Sequence, residues 1–245
     1  MILSILAFSY LIGIVLLLLP IGIVAIILSI LGLSRSMSLF IYRIAQIWSL
    51  LLIKMIGCDL TVSGRENIPR SGGVCFVSNH VGIFDIALLL AYCGRPIGFV
   101  AKKELMLIPL FNVWITLIGG LYIDRGNLRK AHRTIEKGVA RIKAGGGMII
   151  FPEGHRSRDR GLLPFHPGAL KLATMAEAPI VPVALSGSYE VFEKHYRVRP
   201  AVVRVSFSKP INTADLPLTD KKIVLSEKIY AIIKEQLEIN SANPG

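Results

Sequence analysis

Hydrophobic positions fall in two different patterns along the chain. From Met1 to Ser34 the residues are mostly Leu, Ile and Val, with no Asp, Glu, Lys, Arg or His. As one straight helix this run would be ~50 Å long, against a bilayer hydrocarbon core of ~30 Å. Pro20 and Gly22 near its middle favour a kink or a break. Ser34-Arg35-Ser36 reads as a polar hinge, followed by a second apolar stretch from Met37 to Gly57 that Arg43 and Lys54 punctuate. A secretory signal would need a basic start and a small-residue cleavage site, and Met1-Ile-Leu-Ser supplies neither. A buried helix pair would be a rare use of such a long uncharged run. The pattern points to a membrane anchor, spanning or immersed, whose second helix lies near the interface with its bases toward anionic headgroups.

Beyond Gly57 the pattern changes to short β-branched runs separated by helical stretches. Strands are expected at Asp59–Ser63, Val74–Ser78, Ile97–Ala101, Gly120–Ile123, Met148–Phe151, Ile180–Leu185 and Val202–Phe207. Helices are expected at Ile83–Cys93, Leu110–Leu117, Leu128–Lys143, Gly168–Ala176 and Asp220–Leu237, with a frayed Asn-Ser-Ala-Asn-Pro-Gly tail. Alternation of this kind predicts an α/β fold with a mostly parallel central sheet flanked by helices, preceded by the membrane-associated pair. The division is residues 1–57 for the anchoring helices and 58–245 for the α/β domain. Ligands of such sheets collect beyond the carboxyl ends of the strands.

Composition adds the sign of the partner. Apolar residues make up 53% of the 245, so a disordered chain is excluded. The formal net charge is +12, and residues 95–171 alone carry +9 of it. That excess suits phosphate on lipid, cofactor or nucleic acid, or is simply a solvated basic face. No aromatic–basic interleaving or recognised module marks nucleic-acid binding. Cys58, Cys75 and Cys93 form neither a disulfide framework nor a metal-binding spacing, and no metal is called for.

Four segments at strand ends carry chemistry. In Ser78-Asn79-His80-Val81-Gly82-Ile83-Phe84-Asp85, a turn can bring Asp85 back to one ring nitrogen of His80. The carboxylate would fix the tautomer and make the other nitrogen a general base for a hydroxyl; alternatively Asp85 caps the next helix and His80 fills a turn. Lys102-Lys103-Glu104 and Asp124-Arg125-Gly126 each set a base just past a strand. In Phe151-Pro152-Glu153-Gly154-His155-Arg156, Glu153 is expected to pair with Arg156, whose fork suits phosphate. Any one of these alone reads as a surface salt bridge.

The ordered set, Asn79-His80 with Asp85, Lys103-Glu104-Leu105, Gly119 to Arg125, Phe151 to Gly154 and Ile180 to Val183, resembles the glycerolipid acyltransferase family. Within it, the likeness is to the bacterial 1-acylglycerol-3-phosphate acyltransferases, over roughly residues 64–210. One departure is His155, where the family usually has Thr, so a hydroxyl contact there is not carried over. The resemblance implies transfer of an acyl chain from a thioester, acyl-CoA or acyl-carrier protein, to the sn-2 hydroxyl of lysophosphatidic acid, giving phosphatidic acid. His80 and Asp85 are then the catalytic pair, and Lys103, Arg125, Glu153, Gly154 and Arg156 the substrate-binding residues. No cofactor beyond the acyl co-substrate and no nucleic acid is implied, and the site would face the cytoplasmic side of the cell membrane. Glycerol-3-phosphate or another lysophospholipid as acceptor, a lipid hydrolase, and a non-catalytic phospholipid-binding protein are the competing readings. The absence of a Gly-x-Ser-x-Gly elbow speaks against a covalent acyl-serine.

Overall fold

The computed structural model describes residues 1–30, 34–109, 111–166, 168–213 and 221–242. Helix α1 (Ile2–Ile30) runs through Pro20 without a break. A proline inside a helix removes one donor, yet the backbone stays helical on both sides of it. Helix α2 (Ser34–Ile56) absorbs the expected hinge, since Ser34-Arg35-Ser36 forms its first turn; serine is at home at a helix start.

All seven expected strands are present: β1 (Asp59–Ser63), β2 (Val74–Ser78), β3 (Ile97–Lys102), β4 (Leu121–Ile123), β5 (Gly147–Ile150), β6 (Ile180–Ser186) and β7 (Val202–Phe207). They form one sheet in the order β1-β7-β6-β2-β5-β3-β4. Every neighbouring pair is parallel except β6 and β7. The helices are α3 (Asp85–Tyr92), α4 (Phe111–Leu117), α5 (Leu128–Lys143), α6 (Lys171–Ala176), α7 (Ser188–Val191) and α8 (Lys221–Ala242). Leu110 and Asp220, the expected first residues of two helices, lie outside the described residues, as do the last three residues of the tail. The tail's first half is not frayed: Asn240 to Ala242 complete α8, and the Asn240 side chain accepts from the Ser206 hydroxyl at 3.1 Å.

Period-two alternation sorts the sheet into two cores. Val74 and Phe76 face α3 and the α2 residues Tyr42, Ala45, Ile53 and Ile56, all buried. Cys75 and Val77 face the opposite way, toward Ile142 of α5, Leu172 of α6 and Leu225, Ile229 and Ile233 of α8. The second N-terminal helix is therefore part of the first core, which a free-standing anchor would not be.

Helix α1 lies over that same side. Near its start, Ser4 Oγ accepts the Val198 N–H at 2.9 Å and Phe8 meets Phe192 edge-on at 5.6 Å. Further along, Gly22 comes so close to α4 that a Cβ there would lie 2.7 Å from Leu117 Cδ1. Between α1, α2, α3 and α4 remains an apolar cavity of about 430 Å3 whose walls include Leu11, Trp48, Ile83, Phe84, Trp114 and Phe192.

Candidate active site

Strand β2 ends at Ser78, and Asn79 extends its pairing with β6 by side chain. Its amide donates to the Leu185 carbonyl and its carbonyl oxygen accepts the Leu185 N–H, both at 2.8 Å. That clamp fixes where the chain leaves the sheet, and the next residue is His80.

The His80 ring and the Asp85 carboxylate meet as the spacing predicts, Nδ1 to Oδ2 at 2.8 Å. A carboxylate only accepts, so Nδ1–H is the donor of this bond. Asp85 is fully buried, whereas the His80 side chain keeps 18% of its surface open. The helix-capping alternative fails. Asp85 is the first residue of α3 and its Oδ2 accepts N–H groups that precede it, Val81 at 2.7 Å and Gly82 at 3.0 Å. Its other oxygen, Oδ1, accepts the Ser188 hydroxyl. The His80 ring stacks on Phe151, centroids 4.1 Å apart, and so rests on the strand end of β5.

Glu153 holds the main chain of the same residue. Its Oε1 accepts the His80 N–H at 2.7 Å and its Oε2 the Leu163 N–H at 3.0 Å, while Ser157 N–H donates to the His80 carbonyl at 2.7 Å. The Glu153 side chain is fully buried. Burial pushes its carboxyl above the usual carboxylate range, with the two amide donors opposing that shift. The expected Glu153–Arg156 pair is absent among the described residues. Arg156 Nη1 instead donates to Glu193 Oε1 at 2.9 Å. The reason is geometric: Glu153 points inward beneath His80 while Arg156 lies out on the surface of the turn.

The cations gather at a second, open pocket of about 590 Å3, lined by Lys102, Lys103, Asp124, Arg125 and Gly126. Lys103 Nζ donates to Asp124 Oδ1 at 2.9 Å, tying the end of β3 to the end of β4. This bond raises the Lys103 pKa and lowers that of Asp124. Arg125 makes no ion pair among the described residues. Gly154, at φ +74°, sits against it: a Cβ there would lie 2.9 Å from Arg125 Nη1. Any larger residue at 154 would displace that guanidinium, which gives Gly154 a steric part in the pocket. Lys103, Arg125 and Gly154 thus stand together, and Arg156 stands apart with Glu193. His155 is exposed.

His80 lines neither cavity. Ile83 and Phe84 of its loop wall the apolar cavity, while Glu153, which holds the His80 N–H, is followed by Gly154, packed against Arg125 of the cationic pocket. Ser157, Ser188 and Glu193 escaped the reading from sequence. Asn79 was read as part of the motif but not as a clamp, though a polar residue closing a buried strand marks a place where the main chain needs a partner.

Three comparisons bear on this geometry. A family model described as Acyltransferase matches residues 59–186. The chain is 38% identical to the 1-acyl-sn-glycerol-3-phosphate acyltransferase of Escherichia coli K12 over 199 residues, 78% of this chain and 81% of that one. It is 36% identical to the enzyme of the same name from Cocos nucifera over 168 residues, 67% of this chain and 54% of that protein. It thus spans little more than half the length of such plant relatives. The crystal structure of the 1-acyl-sn-glycerophosphate (LPA) acyltransferase of Thermotoga maritima superposes with a TM-score of 0.79 at 24% identity, covering 98% of this chain and 97% of that one.

Proposed function

The chain belongs to the acyltransferase family, and on that footing we propose that it moves an acyl chain from a thioester to the sn-2 hydroxyl of lysophosphatidic acid. One observation carries the reading: an imidazole backed by a buried carboxylate at 2.8 Å, on a loop that walls an apolar cavity and is tied through Glu153 to Gly154, which lies against Arg125 of a cationic pocket. The relatives' names supply the acceptor, and the pocket chemistry agrees with it.

In this mechanism His80 Nε2 takes the proton of the acceptor hydroxyl as its oxygen attacks the thioester carbonyl carbon. The imidazolium that forms is stabilised by Asp85. The tetrahedral intermediate then collapses, its carbon–sulfur bond breaks, and the departing thiolate recovers the proton from His80. Arg125 and Lys103 hold the acceptor's phosphate, and Arg156 joins them once released from Glu193. Glu153 assists through the main chain of His80. The cavity between α1, α2, α3 and α4 takes an acyl chain; nearly all its wall is apolar, as an alkyl group requires. The donor is acyl-CoA or acyl-carrier protein, which present the same thioester.

The bilayer is the third partner. Residues Ser38–Ile56 of α2 are long and apolar enough to cross a membrane. Both helices nevertheless pack on the body, and α1 touches it at Ser4, Phe8 and Gly22. Eighteen residues of helix separate Ser4 from Gly22, ~27 Å at 1.5 Å per residue. A helix flanked by the folded domain over that distance supports immersion in one leaflet of the cell membrane rather than a full crossing, with the catalytic loop at the cytoplasmic surface.

The test is an assay of the purified protein in lipid micelles with labelled acyl thioesters and lysophosphatidic acid. His80→Ala should lower turnover 10²–10⁴-fold while leaving folding and lipid association unchanged. Equal product from both proteins would overturn the assignment, and thioester breakdown without an acceptor would favour a hydrolase.

A further inference from the structure

The His80–Asp85 loop has a second support that lies outside the matched family segment, which ends at Ser186. After β6 the chain turns at Gly187, φ +79°, where a Cβ would sit 1.9 Å from the Val202 carbonyl oxygen. The tight turn delivers Ser188 directly beneath the loop. Ser188 is fully buried, and its hydroxyl donates to Asp85 Oδ1. Five residues on, Glu193 Oε1 accepts the Ile83 N–H at 2.6 Å from the same loop. Gly82 is pressed between them: a Cβ on it would lie 2.8 Å from Glu193 Oε2 and 3.2 Å from the Ser188 carbonyl oxygen.

We propose that Ser188 is a positioning residue for the reaction, acting on His80 through Asp85. The two carboxylate oxygens of Asp85 have separate duties. Oδ2 takes the imidazole and two main-chain amides, all within five residues of one another in sequence. Among the described residues Oδ1 has one hydrogen-bond donor, and it comes from 103 residues away. Without that donor the carboxylate can rotate about its Cβ–Cγ bond, and Oδ2 leaves the line on which it holds the Nδ1 proton. Ser188 therefore keeps Asp85 aimed, so that the proton taken by Nε2 stays on the imidazole until the thiolate collects it.

The other titratable groups facing this pair are Glu153, whose carboxyl senses both His80 and Asp85, and Glu193 beyond Gly82, neutralised by Arg156. Neither offers Oδ1 a donor. Loss of Ser188 is thus uncompensated.

This inference rests on the general-base reading of His80, and the experiment separates the two. Steady-state kinetics of the full chain in micelles, with an acyl thioester and lysophosphatidic acid, are compared for wild type, Ser188→Cys, Asp85→Ala and the double variant. The thiol keeps the volume and weakens the donor; Ser188→Ala, checked by thermal melting, repeats the test if the thiol variant does not fold. The expected result is a kcat about tenfold lower with both KM values within about twofold of wild type. In the Asp85→Ala background Ser188→Cys should cost nothing more, because residues acting as a unit are not additive. An active wild type with Ser188→Cys matching its kcat overturns this inference alone. So does an equal loss from Ser188→Cys with and without Asp85. An inactive wild type overturns the transfer reading and this inference with it.

Discussion

The buried and the exposed ionisable groups around the His80 loop are built on opposite plans. Among the described residues, the buried ones are saturated: Asp85 has four donors and Glu153 has two, and neither touches solvent. Lys103, Arg125 and Arg156 are exposed, with one surface ion pair each or none among the described residues. A buried charge without partners is costly, so the buried groups have one arrangement available. Surface pairs are worth little, so the exposed groups can exchange Asp124 or Glu193 for another anion. The buried groups are fixed and the exposed ones adjustable.

The contrast can be broken most directly at Asp85. Asp85→Asn can keep a carbonyl oxygen for the imidazole and the two main-chain N–H groups but removes the charge that stabilises the imidazolium, and turnover should fall 10²–10⁴-fold with substrate KM little changed. Steady-state kinetics on the purified variant check it, and a rise in KM alone would contradict the division. On the exposed side, Arg125→Ala should do the reverse, raising the acceptor KM about tenfold with kcat nearly intact. The same assay at rising ionic strength should shrink that difference.

Smaller effects sharpen the comparison. Glu153 has a folded-state pKa raised by burial, whereas an unfolded glutamate titrates near ~4.3. Its contribution to stability is therefore complete below that value and is lost as pH rises through the folded-state value. The melting-temperature gap between wild type and Glu153→Gln should narrow from pH 4 to pH 7. Burial likewise pushes the Cys75 and Cys93 thiols far up, and Cys58 to a lesser degree. Maleimide should leave Cys75 and Cys93 unlabelled in the native protein without loss of activity, as expected of a site that uses no thiol.

Much of this was legible in the chain because the signals were local. The strands announced themselves by β-branched runs, and Leu128–Lys143 by its charged face and glycine stop. His80 and Asp85 are five residues apart, close enough for spacing alone to bring them together. What stayed hidden involved partners distant in sequence. Glu193 lies 110 residues from Ile83 and Ser188 103 from Asp85, and the four-residue α7 is too short to leave a period. The expected Glu153–Arg156 pair failed for the opposite reason: nearness in sequence suggested contact, but a turn sends successive side chains in different directions.

The stretch from Ser188 to Val198 reaches three places at once. It holds Asp85 at one end, walls the apolar cavity with Val191, Phe192 and Val198, and at the far end bonds the first turn of α1 through Ser4. Remodelling the cavity at Phe192 or Phe8 therefore pulls on the same strap that bonds Asp85. If the cavity takes the acyl chain as proposed, chain-length selectivity and speed will be mechanically geared, and an engineer altering the first will have to retune the second.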